Sequence, residues 1–132
     1  MDDGTFEPDS KARGLILLVD DEEMIRDVGR EVLEALGYQV ITARGGRQAV
    51  EIYGRWKERV DLVILDLSMP DMDGEATSDA IWEMDPETRV ILSSGYSLDD
   101  QARRIMKKGC CAFLQKPFKM TVLARTIESI LA

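Results

Sequence analysis

The chain has 132 residues, 45% of them hydrophobic, and a formal net charge of -8 from 17 basic and 25 acidic side chains. That length suits one domain with a real core, while the acid excess argues against nucleic-acid binding, which needs a basic face. No apolar run reaches membrane-spanning length and the acidic, polar start is no signal peptide, so a cytoplasmic protein without membrane insertion is expected.

Met1 to Ala12 mixes acids with Gly4 and Pro8 and shows no periodicity, so residues 1–12 read as a disordered leader or linker remnant and residues 13–132 as the folded domain. From there strand and helix alternate without a break. Leu15 to Val19 is an apolar run of strand length that ends on Asp20-Asp21. Ile25, Val28, Val32, Leu33 and Leu36 recur at helical spacing until Gly37 stops them. Tyr38 to Ala43 makes a second strand, and Ala49, Ile52, Tyr53 and Trp56 line one face of a second helix, where Trp56 reads as packing. The third strand, within Val60 to Asp66, stops at a turn set by Pro70 and Gly74. Ala76, Ala80, Ile81 and Met84 mark a helix closed by Asp85-Pro86, and the fourth strand runs from Val90 to Ser94. Leu98, Ala102, Ile105 and Met106 give a fourth helix capped by Gly109. A fifth strand leads to Lys116, and Met120, Leu123, Ile127 and Ile130 form the last helix. Such alternation builds an α/β, doubly wound five-stranded parallel sheet with helices on both faces.

In such a sheet the carboxyl ends of the strands share one rim, where ligands bind. Asp20, Asp21 and Asp66 would meet there and repel one another unless a cation joined them. Hard oxygen donors without thiolate or imidazole favour Mg²⁺. The fourth strand adds the Ser94 hydroxyl before Gly95, and the fifth adds the Lys116 ammonium. A carboxylate nucleophile, a divalent cation, a hydroxyl and a lysine are the parts needed to take up a phosphoryl group. The chain has no histidine, so a Ser-His-Asp triad, His-ligated zinc and an internal phosphohistidine donor are excluded. Cys110 and Cys111 are adjacent, which disfavours a structural disulfide, and no zinc spacing exists; packing at the start of a strand is the plain reading.

Asp20-Asp21, Asp66 with Met69-Pro70-Asp71-Met72-Asp73-Gly74, Ser94-Gly95 and Lys116-Pro117-Phe118 come in one order, each at a strand end. In this the chain resembles the receiver domain of two-component response regulators, including receivers fused to hybrid sensor histidine kinases. The resemblance implies a flavodoxin-like (βα)5 fold with strand order 2-1-3-4-5. It also implies Asp66 as phosphoacceptor, Asp20, Asp21, Asp66 and the Ser68 backbone carbonyl as Mg²⁺ ligands, and Lys116 as the phosphoryl-contacting lysine. Ser94 and Phe113 would be switch residues, and the Lys116-Pro117 bond would be cis. Partners implied are a sensor histidine kinase or histidine phosphotransfer protein and a downstream output domain or partner protein, with a homodimer left open. Such a domain is no ordinary enzyme: it promotes its own Asp phosphorylation and dephosphorylation.

Three rival readings fit these residues less well. A haloacid-dehalogenase-type phosphatase also uses a strand-end Asp, but needs a second Asp two residues on, where this chain has Ser68. A flavin module would need a glycine- or hydroxyl-rich loop after the first strand instead of Asp20-Asp21-Glu22-Glu23. A receiver that has lost its chemistry and only binds partners would not keep every chemical position filled.

Overall fold

A computed structural model of the chain describes Glu7, Asp9 and residues 11–109 and 112–132. The elements run β1 (Leu15–Val19), α1 (Glu23–Ala35), β2 (Gln39–Ala43), α2 (Gly46–Trp56), β3 (Leu62–Asp66), α3 (Gly74–Met84), β4 (Val90–Ser94), α4 (Asp100–Lys108), β5 (Ala112–Gln115) and α5 (Met120–Leu131). The five strands form one parallel sheet in the order β2-β1-β3-β4-β5, as expected.

Strand alternation divides the core in two. Leu17, Val19, Val63, Leu65 and Leu92 point to the side covered by α2, α3 and α4, where Ile52, Tyr53, Ile81 and Ile105 meet them. Ile16, Leu18, Ile64 and Ile91 point to the side covered by α1 and α5, against Leu33, Leu123 and Ile127. Both faces of β1, β3 and β4 are therefore buried, which is why their sequences are unbroken apolar runs.

Helix faces follow the sequence less closely. In α3 the buried positions are Gly74, Thr77, Ser78 and Ile81, whereas Ala76 is exposed and Ala80 only half-buried. Thr77 and Ser78 enter the core because their hydroxyls donate to the Asp73 and Glu75 carbonyls at 2.7 and 3.0 Å, leaving no unpaired polar atom. Leu98 lies before the α4 N-cap Asp99 and is exposed, and Val28 on α1 is half exposed. Trp56 packs against the core, as expected. Gly109 ends α4 with a positive φ of 136°, a backbone conformation that favours glycine. Glu7 and Asp9 bond to Gln39 at the sheet edge. The other residues expected to form the leader and the two cysteines fall largely outside the described set: residues 1–6, 8 and 10, and Cys110 and Cys111.

Candidate functional site

Parallel strands all end on one rim, so side chains far apart in sequence converge there. β1 delivers Asp20, β3 delivers Asp66, and Lys116 follows β5. Asp20 and Asp66 share the α1/α5 side of the sheet by alternation, each two residues beyond a member of that core, Leu18 and Ile64. Both are buried, at 2% and 5% exposure, while Asp21 is exposed. Carboxylate oxygens of Asp20, Asp21 and Asp66 lie within 4.8 Å of one another. The acids expected at one rim are therefore together.

Lys116 answers this negative charge. Its Nζ donates to Asp20 Oδ2 at 2.7 Å and to Asp66 Oδ1 at 3.4 Å. Burial works against the ammonium, but the bond to Asp20 and the charges of Asp66 and Asp20 outweigh it and hold Lys116 above its ordinary value. For Asp66 the balance goes against the charged form: burial, opposed by Lys116 and reinforced by Asp20 and Asp21, pushes its carboxyl up to about 6. A buried acid short of positive charge is a site prepared for a cation or a transferred group.

Asp20 is fixed from three directions, two through its backbone and one through its side chain. Its N–H donates to the Ala43 carbonyl at 3.1 Å, its carbonyl accepts from Arg26 Nη1 at 2.8 Å, and its Oδ1 accepts the Glu22 N–H at 3.0 Å. Arg26 was not among the sequence candidates; its position one turn into α1 places it to brace the loop that carries both acids.

Ser93 and Ser94 divide by alternation. Ser93 stands opposite Asp66 in the ladder and lines the α1/α5 side with Asp20 and Lys116. Ser94 follows Leu92 onto the α4 side, and its Oγ accepts the Tyr96 N–H at 3.0 Å. Phe113 stands opposite Leu92, is half-buried, and packs against the same α4-side core. Ser94 and Phe113 thus share a face of the sheet. The Lys116-Pro117 peptide is cis.

Ser68 lies in the loop after β3 with its side chain exposed. That loop starts where Leu67 N–H donates to the Ser93 carbonyl at 3.0 Å and closes where Gly74 N–H donates to the Leu67 carbonyl at 3.1 Å. Gly74 is required there, since a Cβ would fall 2.8 Å from Leu67 Cα. Beside the site a groove of about 400 Å³ runs between α1 and α5, lined by Met24, Val28, Phe118 and Met120 as well as Asp20 and Lys116. Among the described residues no helix is long and apolar enough to cross a membrane.

Residues 16–128 match the response regulator receiver domain family. The chain is 34% identical over 117 residues to chemotaxis protein CheY of Halobacterium salinarum, covering 88% of this chain and 95% of that one. It is 35% identical over 123 residues to sensor kinase CckA of Brucella abortus, covering 93% of this chain but only 13% of the kinase's length. Among solved structures, the CheX-CheY-BeF3-Mg²⁺ complex from Borrelia burgdorferi matches with a TM-score of 0.84 at 29% identity, covering 90% of each chain.

Proposed function

This chain belongs to the response regulator receiver domain family, and on that premise we propose that Asp66 is the residue on which it carries a phosphoryl group. The chain is a phosphoacceptor domain of two-component signalling, and residues 13–132 form that domain. The observation that carries the assignment is the Lys116 ammonium reaching both Asp66 and Asp20 at a buried strand end. A haloacid-dehalogenase-type phosphatase is set aside, because its acid position holds the exposed Ser68 and the family match is to receivers.

The donor set at the rim is all carboxylate and carbonyl oxygen, with no imidazole or thiolate, and so fits Mg²⁺. Asp20, Asp21, Asp66 and the Ser68 carbonyl would hold the ion. Bound Mg²⁺ supplies charge neutralisation for the phosphoryl oxygens. The ion is seen with beryllofluoride in the Borrelia burgdorferi complex of similar fold.

The chain's own residues divide the remaining work. An Asp66 carboxylate oxygen forms the new O–P bond as the P–N bond to a donor histidine breaks, its electron pair leaving with the imidazole. Lys116 keeps one positive charge at the phosphoryl oxygens, and Ser94 donates its hydroxyl to one of them. Water later cleaves the acyl phosphate, so the domain takes part in both its phosphorylation and its dephosphorylation. Drawing the Ser94 hydroxyl toward Asp66 vacates space on the α4 side, which Phe113 can fill, and so repacks the α4-β5-α5 surface for an output partner. The apolar groove beside Asp66, with Met24 77% exposed, is where a histidine kinase or phosphotransfer protein would rest.

Intact-mass spectrometry after incubation with a phosphohistidine donor tests the assignment. One phosphoryl adduct is expected in Mg²⁺. An adduct formed equally well in excess chelator, or surviving in Asp66→Asn, would overturn it.

A further inference from the structure

We infer that Asp71 is a positioning residue for the metal site: its carboxylate ties the loop that carries the Ser68 carbonyl to the first turn of α2. The inference rests on the reading of Asp66 and its neighbours as a Mg²⁺-dependent acceptor site. Asp71 Oδ1 accepts the Gly46 N–H and its Oδ2 accepts the Arg47 N–H, each at 3.2 Å. These donors are orphans of the helix start, because the N-cap residue Gly45 has no side chain to satisfy them. The cap comes from 25 residues away. Desolvation raises the Asp71 carboxyl, but these bonds, together with the backbone N–H groups of Asp71 and Met72, hold it below its ordinary value.

Among the described residues, the hydrogen bonds that tie 68–72 to another element are the two that Asp71 accepts. Met69 adds a buried apolar anchor on the other side. Between them Pro70 locks one backbone angle and restricts Met69 before it, so fixing Asp71 limits the rotations open to the peptide units back to Ser68. The direction of the Ser68 carbonyl is thereby set from α2. Close packing at the same point adds to the tie: a Cβ on Gly46 would collide with Thr77 Oγ1 of α3 and lie 2.8 Å from Met72 Cβ and 2.9 Å from the Met72 carbonyl oxygen, so α2, α3 and the loop meet there. A Cβ on Gly45 would lie 2.7 to 2.9 Å from the Asp71 carboxylate atoms. Loop and helix start are built as one piece.

Mg²⁺ alone, titrated into the full chain and followed by amide NMR shifts around Asp66, tests the inference. Asp71→Ala should bind Mg²⁺ about tenfold more weakly, the loss usual for a residue that supports a metal ligand. Asp71→Asn keeps an acceptor oxygen without the charge and should lie closer to the parent than to Asp71→Ala. Ile127→Val, a modest core loss remote from the loop, should leave binding unchanged. Unaltered affinity in Asp71→Ala would overturn the inference. So would Asp71→Asn as weak as Asp71→Ala, which would make the effect one of charge, or equal weakening in Ile127→Val, which would make it general loosening. A parent without any Mg²⁺ response would remove the metal-site reading itself and the inference with it.

Discussion

Asp66→Asn should stabilise the metal-free protein at high pH and lose that advantage in acid. Burial, set against Lys116 and reinforced by Asp20 and Asp21, raises the Asp66 carboxyl to about 6 in the folded chain, against about 3.9 unfolded. Folding thus favours the neutral form. The stability that comes with the neutral carboxyl is fully present below about pH 4 and is lost as pH rises through about 6. About two pKa units at 1.36 kcal/mol each make the penalty of ionised Asp66 about 3 kcal/mol near neutral pH. Asparagine is neutral throughout, nearly the same shape, and keeps an oxygen for Lys116 Nζ. For a chain of this size the gain corresponds to roughly 10 °C in Tm. Thermal melts by circular dichroism in chelator, at about pH 8 and about pH 4.5, measure it. Adding Mg²⁺ should raise the parent's Tm by mass action and narrow the gap. An Asp66→Asn variant no more stable than the parent at high pH, or equally favoured at both pH values, would refute the electrostatic account of the site.

Lys116→Ala leaves buried Asp20 and Asp66 facing each other without their cation, so it should cost about 3 kcal/mol at neutral pH and less in acid, measured by urea unfolding. Ser94→Ala should bind beryllofluoride with Mg²⁺ yet show amide shifts confined to the pocket. The parent should also shift at Ile105, Phe113 and Leu123, in α4, β5 and α5.

Much of this site was legible because its chemistry sits at the ends of the least ambiguous elements. β1, β3 and β4 are buried on both faces, so Leu15 to Val19, Leu62 to Leu65 and Val90 to Leu92 announce strands, and the polar residue after each run marks the rim. Helices gave less. Apolar spacing favours Ala76 over Thr77 and Ser78 in α3, because it cannot foresee hydroxyls satisfied by their own helix backbone. Val28 looks like a core residue by spacing and is half exposed, since α1 turns that edge toward the groove shared with α5. Strand parity separates Ser93 from Ser94, yet which hydroxyl faces which core follows only once Leu92 is placed on the α4 side. The Asp71 bond to α2 left no sequence signal, because it depends on a tertiary approach at Gly46 between segments distant in the chain.

The central claim is that the phosphoryl group resides on Asp66 and on neither neighbouring acid. Reduction of the phosphorylated protein with borohydride, which converts an acyl phosphate to an alcohol, followed by peptide mass mapping, tests it most directly. The account predicts homoserine at position 66 in the Mg²⁺-treated sample, and unmodified Asp20 and Asp21. Homoserine at position 20 or 21, or an adduct that borohydride leaves untouched, would contradict it.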